Sequence, residues 1–166
     1  MPQLLAASSV KAILTPFLLL VDGCACAASP IVLHVIGDTG DCDLPATAQV
    51  SAAMRRQGDF MDARLLEVGD LAYPVATRER LLECHEPHFS MFPKRLAVPG
   101  NHDWMDGKAA GVFSIFPKPV PRVEDLGGPW RLLLLDSNLK GVAWERQLQW
   151  LGGMLGSSRG ECLIAA

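Results

Sequence analysis

Asn101, His102 and Asp103 stand side by side in "VPGNHDW", directly after a short apolar run. An amide, an imidazole and a carboxylate are costly to hold beside a hydrophobic core, so their grouping points to chemistry. Two further carboxylates occupy equivalent places. Asp38 follows an apolar run in "VIGDTG" and Asp70 follows another in "EVGDLAY", each preceded by a glycine that lets the backbone turn sharply. Carboxylates and an amide oxygen brought together repel unless cations sit among them. A pair of metal ions about 3.5–4 Å apart would meet that need, clamping the attacking and leaving oxygens of a phosphoryl displacement. His102 would then stabilise or protonate the leaving oxygen. Asp103 would orient the imidazole, as carboxylates behind site histidines do. Chance supplies "GNHD" to on the order of one chain in a thousand, and here it comes third after two "GD" motifs.

Five apolar runs must position these groups: 31–37, 64–69, 95–100, 131–137 and 161–166. Between the first two, "DLPATAQVSAAMRRQG" reads as a helix with Asp43 as N-cap, Pro45 in the first turn and Gly58 past the end. Trp144, Leu148, Leu151 and Leu155 recur with helical spacing before the last run and predict one apolar face, weakened by Gly152 and Gly153. The Gly- and Pro-rich stretch 105–130 reads as a long loop. Strands alternating with helices imply an α/β chain, a mostly parallel sheet with flanking helices. In such sheets ligands gather outside the carboxyl ends of the strands, where Asp38, Asp70 and Asn101 all fall.

In this order "GDTG", "GDLAYP" and "GNHD" resemble the first three signature motifs of the calcineurin-like metallophosphoesterase superfamily. Gly40 stands where many members carry a histidine, and Tyr73 stands where the purple-acid-phosphatase-like branch carries a phenolate ligand. "ECHEP" (83–87), "SNL" (137–139) and "QLQWLGGML" (147–155) are similar to exported bacterial members. The resemblance covers residues 30 to 166 and implies the N-terminal portion of an α/β/β/α sandwich. It implies Asp38 on one metal, Asp70 bridging two, Tyr73 completing the first site from this half and Asn101 on the second, with His102 acting on the phosphate. The cofactors would be Fe(III) and a second ion, Zn, Mn or Fe(II). The substrate would be a phosphate monoester of a small molecule, with diester or nucleotide hydrolysis, or a non-catalytic binding module, as the alternatives. Members supply three more histidines from later motifs. The four here are His34, His85, His88 and His102, so the chain reads as the N-terminal part of a longer enzyme that by itself binds metal weakly and turns over little, its uncovered sheet face lowering solubility.

The bulk properties add boundaries. A chain of 166 residues suits one domain. Fifteen basic against 18 acidic residues, a net charge of -3 and no basic run exclude an electrostatic case for nucleic acid. Lys11 precedes the ten-residue apolar run "AILTPFLLLV", too short to span a membrane, and then Ala25-Cys26-Ala27. Residues 1–27 therefore read as a signal peptide and 28–166 as the domain, exported and with no membrane span in the mature chain. Cys42, Cys84 and Cys162 would remain, an odd number that leaves a thiol unpaired or joined to another chain. His34 reads as a core histidine. Cys84, His85 and His88 lack a fourth ligand for a metal, and Asp41 reads as a loop residue. Asp136 ends the fourth run in the topological position of a ligand, and Trp104 either walls a substrate pocket or packs on the sheet.

Overall fold

A computed structural model describes residues 31–57 and 61–166. The expected signal segment 1–27 and the helix-ending Gly58 lie outside the described residues. Among these, the order is β1 (Leu33–Ile36), α1 (Ala46–Arg55), β2 (Arg64–Glu67), α2 (Arg78–Arg80), a π-helical turn (Leu81–His85), α3 (Glu86–Phe89) and β3 (Arg95–Ala97). Then come α4 (Ala110–Ile115), β4 (Arg122–Gly127), β5 (Trp130–Leu134), α5 (Val142–Ser157) and β6 (Cys162–Ala165). The described residues are mixed α/β with two three-stranded sheets. One is wholly parallel in the order β1-β2-β3; the other, β4-β5-β6, is antiparallel between β4 and β5 and parallel between β5 and β6. No helix among the described residues is long and apolar enough to cross a membrane.

Alternation along β2 decides how the layers meet. Leu66 faces the second sheet and joins Leu96, Val98, Leu126, Leu132 and Leu134 in one buried cluster. Leu65 points the other way, packing with Ile36, Met54, Phe89 and Phe92 against α1 and α3. Successive side chains of a strand point to opposite faces, so these two leucines tie both layers to one strand. Truncating Leu66 would cost about 2–5 kcal/mol.

All five expected apolar strands are present, each shorter than its run. The stretch 105–130 is not one long loop: it holds α4 and β4. β4 was hidden because its residues Arg122, Glu124 and Asp125 are charged, and its register shifts between Asp125 and Gly127. Arg122 holds Glu124 at 2.8 Å, and Arg131 on β5 holds Asp125 at 3.1 Å. The first helix begins with Pro45 as its N-cap, not Asp43, whose backbone amide instead donates to Asp41 Oδ1 at 2.9 Å in a local turn. Helix α5 forms as its periodicity implies, but the apolar face is not its core. Leu148 and Leu155 are 46% and 59% exposed, whereas Gln147 is buried. Trp144, Leu148 and Leu151 border an apolar cleft of about 400 Å³ shared with Val68, Pro99 and Ala165.

Candidate metal centre

Register brings the predicted groups to one edge. Ile36 pairs with Glu67 and Glu67 with Ala97, so the carboxyl ends of β1, β2 and β3 lie level and their following loops emerge together. The loops then bond to each other: Asp38 N donates to Gly69 O at 3.2 Å and Thr39 N to Asp70 O at 3.1 Å. Asp38 and Asp70 both hold left-handed backbones, φ 52° and 53°. Aspartate tolerates this better than most residues, at a cost on the order of 1–2 kcal/mol. Close approach demands glycine nearby: a Cβ on Gly100 would lie 2.3 Å from Asp70 Oδ1.

Tyr73 is the hub of the cluster. Its hydroxyl lies 2.5 Å from Asp38 Oδ1 and 3.2 Å from Asp70 Oδ2. Desolvation, the hydrogen bond to Asp38 and the charges of both carboxylates push that hydroxyl well above the ordinary tyrosine range. Neither carboxylate forms an ion pair with a Lys, Arg or His among the described residues. The phenolic proton stands where a countercharge would otherwise be. An oxygen-only set of two carboxylates and a phenol suits a hard cation, so the residues present fit a metal ion of that kind. Asn101 is exposed one residue before His102, whose backbone amide donates to Asp70 Oδ1 at 2.8 Å.

His102 sits against Tyr73 with ring centroids 4.6 Å apart. Its Nδ1 lies 2.7 Å from the Pro74 carbonyl oxygen. A carbonyl can only accept, so Nδ1 carries hydrogen and Nε2 is the atom left for other chemistry. The Tyr73–Pro74 segment is itself held by Arg80, which donates from Nε and an Nη to the Tyr73 carbonyl at 3.0 and 2.7 Å.

Asp103 does not orient the imidazole, contrary to expectation. It is buried and accepts from three backbone amides, Gly100 at 2.7 Å, Asp70 at 2.8 Å and Leu71 at 3.0 Å. Burial pushes its carboxyl up while the three amides pull it down, and burial prevails. Its role is to clamp the Asp70 loop to the Asn101 loop; the ring's orienting acceptor is the Pro74 carbonyl. Asp136 is likewise no part of the cluster. It is buried, taking Trp104 Nε1 at 2.9 Å on one oxygen and Asn138 N at 2.8 Å on the other. Gln147 bonds its backbone on both sides, at 2.8 and 3.0 Å.

Gly40 is hemmed in by the neighbouring loop. At φ +77° its Cβ would lie 1.9 Å from the Leu71 carbonyl oxygen, so this backbone admits no side chain there. Behind Asp38, Cys42 and Cys84 form a disulfide, which ties the first loop to the π-helical turn. Cys162 is disulfide-bonded as well. Cys42, Glu83 and Cys84 bring potential ligand atoms within 4.8 Å of one another, yet the disulfide uses both sulfurs. His85 is fully buried between Thr39 Oγ1 at 3.2 Å and Glu67 Oε2 at 2.7 Å, and Arg95 Nε donates to the other Glu67 oxygen at 2.7 Å. His88 stacks edge-on against Phe89. The three candidates Cys84, His85 and His88 therefore serve three separate structural ends, and His34 is half-buried within β1.

Sequence reasoning missed Pro74, Arg80 and the Glu67–His85–Arg95 network. Only Glu67, a charge inside an apolar run, left a sign of it. Comparison with family models, with curated proteins and with solved structures returns no match to this chain.

Proposed function

We propose that this chain carries the oxygen-ligand half of a metal-dependent phosphoesterase. On this reading it is related to the calcineurin-like metallophosphoesterases of the purple-acid-phosphatase-like branch, and its two sheets correspond to the N-terminal portion of their α/β/β/α sandwich. The observation that supports it most is the Tyr73 hydroxyl shared between Asp38 and Asp70, with no cationic side chain among the described residues paired to either carboxylate. Asp38, Asp70 and Tyr73 would hold one ion, and Asp70 with Asn101 a second. Ions bound there would supply Lewis acidity toward a phosphate ester and would acidify a water.

The chain's own residues account for the rest. Asp103 keeps the Asp70 and Asn101 loops at fixed separation, so the ligands need little rearrangement. His102 is fixed at Nδ1 by Pro74, which aims Nε2 outward; protonated there, it gives its proton to the leaving oxygen. The Cys42–Cys84 disulfide accords with an exported protein in an oxidising compartment. Phosphate monoesters are the proposed substrates, and turnover of a monoester against a diester separates the two subclasses.

The deciding experiment loads the purified chain with Fe(III) and Zn(II) and reads metal content and visible absorption. Tyr73 is the single tyrosine, so any iron–phenolate band must come from it and must vanish in Tyr73→Phe. Metal uptake that survives Asp70→Ala would refute the assignment. Uptake without turnover of any ester would favour a binding module.

A further inference from the structure

Resting on the phosphoesterase reading, we propose that Trp104 and Lys140 form a leaving-group subsite for an aromatic ring that carries a second negative charge. Next to Asn101 opens a cleft of about 590 Å³, lined by Trp104, Met105, Leu139, Lys140 and Ala143 among others. Whatever is esterified to a phosphate held at Asn101 would extend into it.

Trp104 is a fixed wall of this cleft. Its indole Nε1 donates to Asp136 at 2.9 Å, and Asp136 is only 1% exposed. Asp136 cannot move to follow the ring, because Asn138 and Gln147 hold its free oxygen and its backbone at 2.8–3.0 Å. An indole anchored by its N–H edge presents its face without losing rotamer freedom on binding. Flat aromatic groups gain most from such a face, and Leu139, Ala143 and Met105 add apolar lining around it. A sugar or a glycerol chain would instead lose hydration for few partners, since Asn101 and Asn138 are the uncharged polar side chains among the described residues lining the cleft.

Lys140 supplies the second element of recognition. It is the one charged side chain lining the cleft and has no ion pair or hydrogen bond among the described residues. Asp136, the nearest acid along the chain, is turned away and committed to Trp104. An exposed ammonium in a cleft without an acid favours a ligand anion at the rim. The phosphate would be held at the candidate metal centre, so the charge that meets Lys140 belongs to the leaving group, as a carboxylate or a further phosphate.

The test uses the full chain and the ligand 4-hydroxybenzoate, the alcohol that such an ester would release, with phenol and glycerol for comparison. The readout is the Trp104 indole N–H resonance, assigned by its loss in Trp104→Phe, in metal-free protein. We expect a saturable shift with 4-hydroxybenzoate, binding about fivefold weaker with phenol, and no shift with glycerol. Lys140→Glu, at an exposed position, should weaken 4-hydroxybenzoate about fivefold or more and leave phenol within about twofold. An unmoved Trp104 resonance, or equal binding of phenol and 4-hydroxybenzoate, overturns the subsite. Failure of the metal reading is seen separately, as no uptake of iron or zinc while the Trp104 shift persists.

Discussion

Substituting Asp103 separates two roles that its position in "GNHD" leaves equally open. In the structure its two oxygens serve three amides, those of Gly100 and Asp70 on Oδ2 and that of Leu71 on Oδ1. A hydrogen bond to a charged acceptor contributes roughly 1.5–3 kcal/mol, and the cost of burying the carboxylate offsets several kcal/mol of the three together. Asp103→Ala, which leaves three amides without acceptors, should therefore cost about 3–5 kcal/mol of the roughly 5–15 kcal/mol available to such a domain. Asp103→Asn is more informative. Its amide oxygen can keep the two bonds of Oδ2, while its NH₂ faces the Leu71 N–H, a loss of about 2 kcal/mol. Guanidinium unfolding followed by tryptophan fluorescence measures both. The pH dependence has a defined sign. Burial raises the folded carboxyl above its unfolded value, so the contribution of Asp103 is largest below the ordinary carboxylate range. It declines as pH rises to the folded value, and the difference between wild type and Asp103→Asn should shrink across that window. Stability within about 0.5 kcal/mol of wild type, together with a changed His102 imidazole titration, would restore the ring-orienting role and refute the clamp.

Tyr73, as the single tyrosine, can be titrated directly by ultraviolet absorbance. In metal-free protein its phenolate should form well above the ordinary value of about 10, and Asp38→Asn should lower that point. Because the folded pKa is the higher one, stability should fall as pH rises past the unfolded tyrosine pKa, and Tyr73→Phe should abolish that part of the slope. Cys42→Ser opens a cross-link between residues 42 apart and should cost about 4 kcal/mol by loop entropy, read as a lower Tm. Gly40→Ala places a methyl 1.9 Å from the Leu71 carbonyl and should cost about 3 kcal/mol or more in a denaturant titration; near-native stability would show that the two loops separate readily.

The parallel strands were legible because each lies within an apolar run, and such runs show in any composition window. The placement of Asp38, Asp70 and Asn101 at their tips was legible too, since a glycine and a polar residue end each run. β4 was not, for its acids Glu124 and Asp125 are paired with Arg122, Lys118 and Arg131, and a strand that charged leaves no apolar run to read. The face of α5 misled for a related reason. Its leucines border a cleft, while Gln147 is drawn inward by the backbone of Asp136, and a period of 3.6 cannot register a hydrogen bond to a distant main chain.

For this chain, residue types and their spacing determined which atoms could meet a cation: two carboxylates, a phenol, an amide and an imidazole, each just past a strand. Chemistry of that sort is written in side chains, so it can be read in one dimension. Only the tertiary structure decided what holds them, because the holders are main-chain groups. The Pro74 carbonyl sets the tautomer of His102, three amides take up Asp103, and the Leu71 carbonyl excludes any side chain at position 40. Every residue carries the same backbone, so its partners are told apart by where the fold puts them.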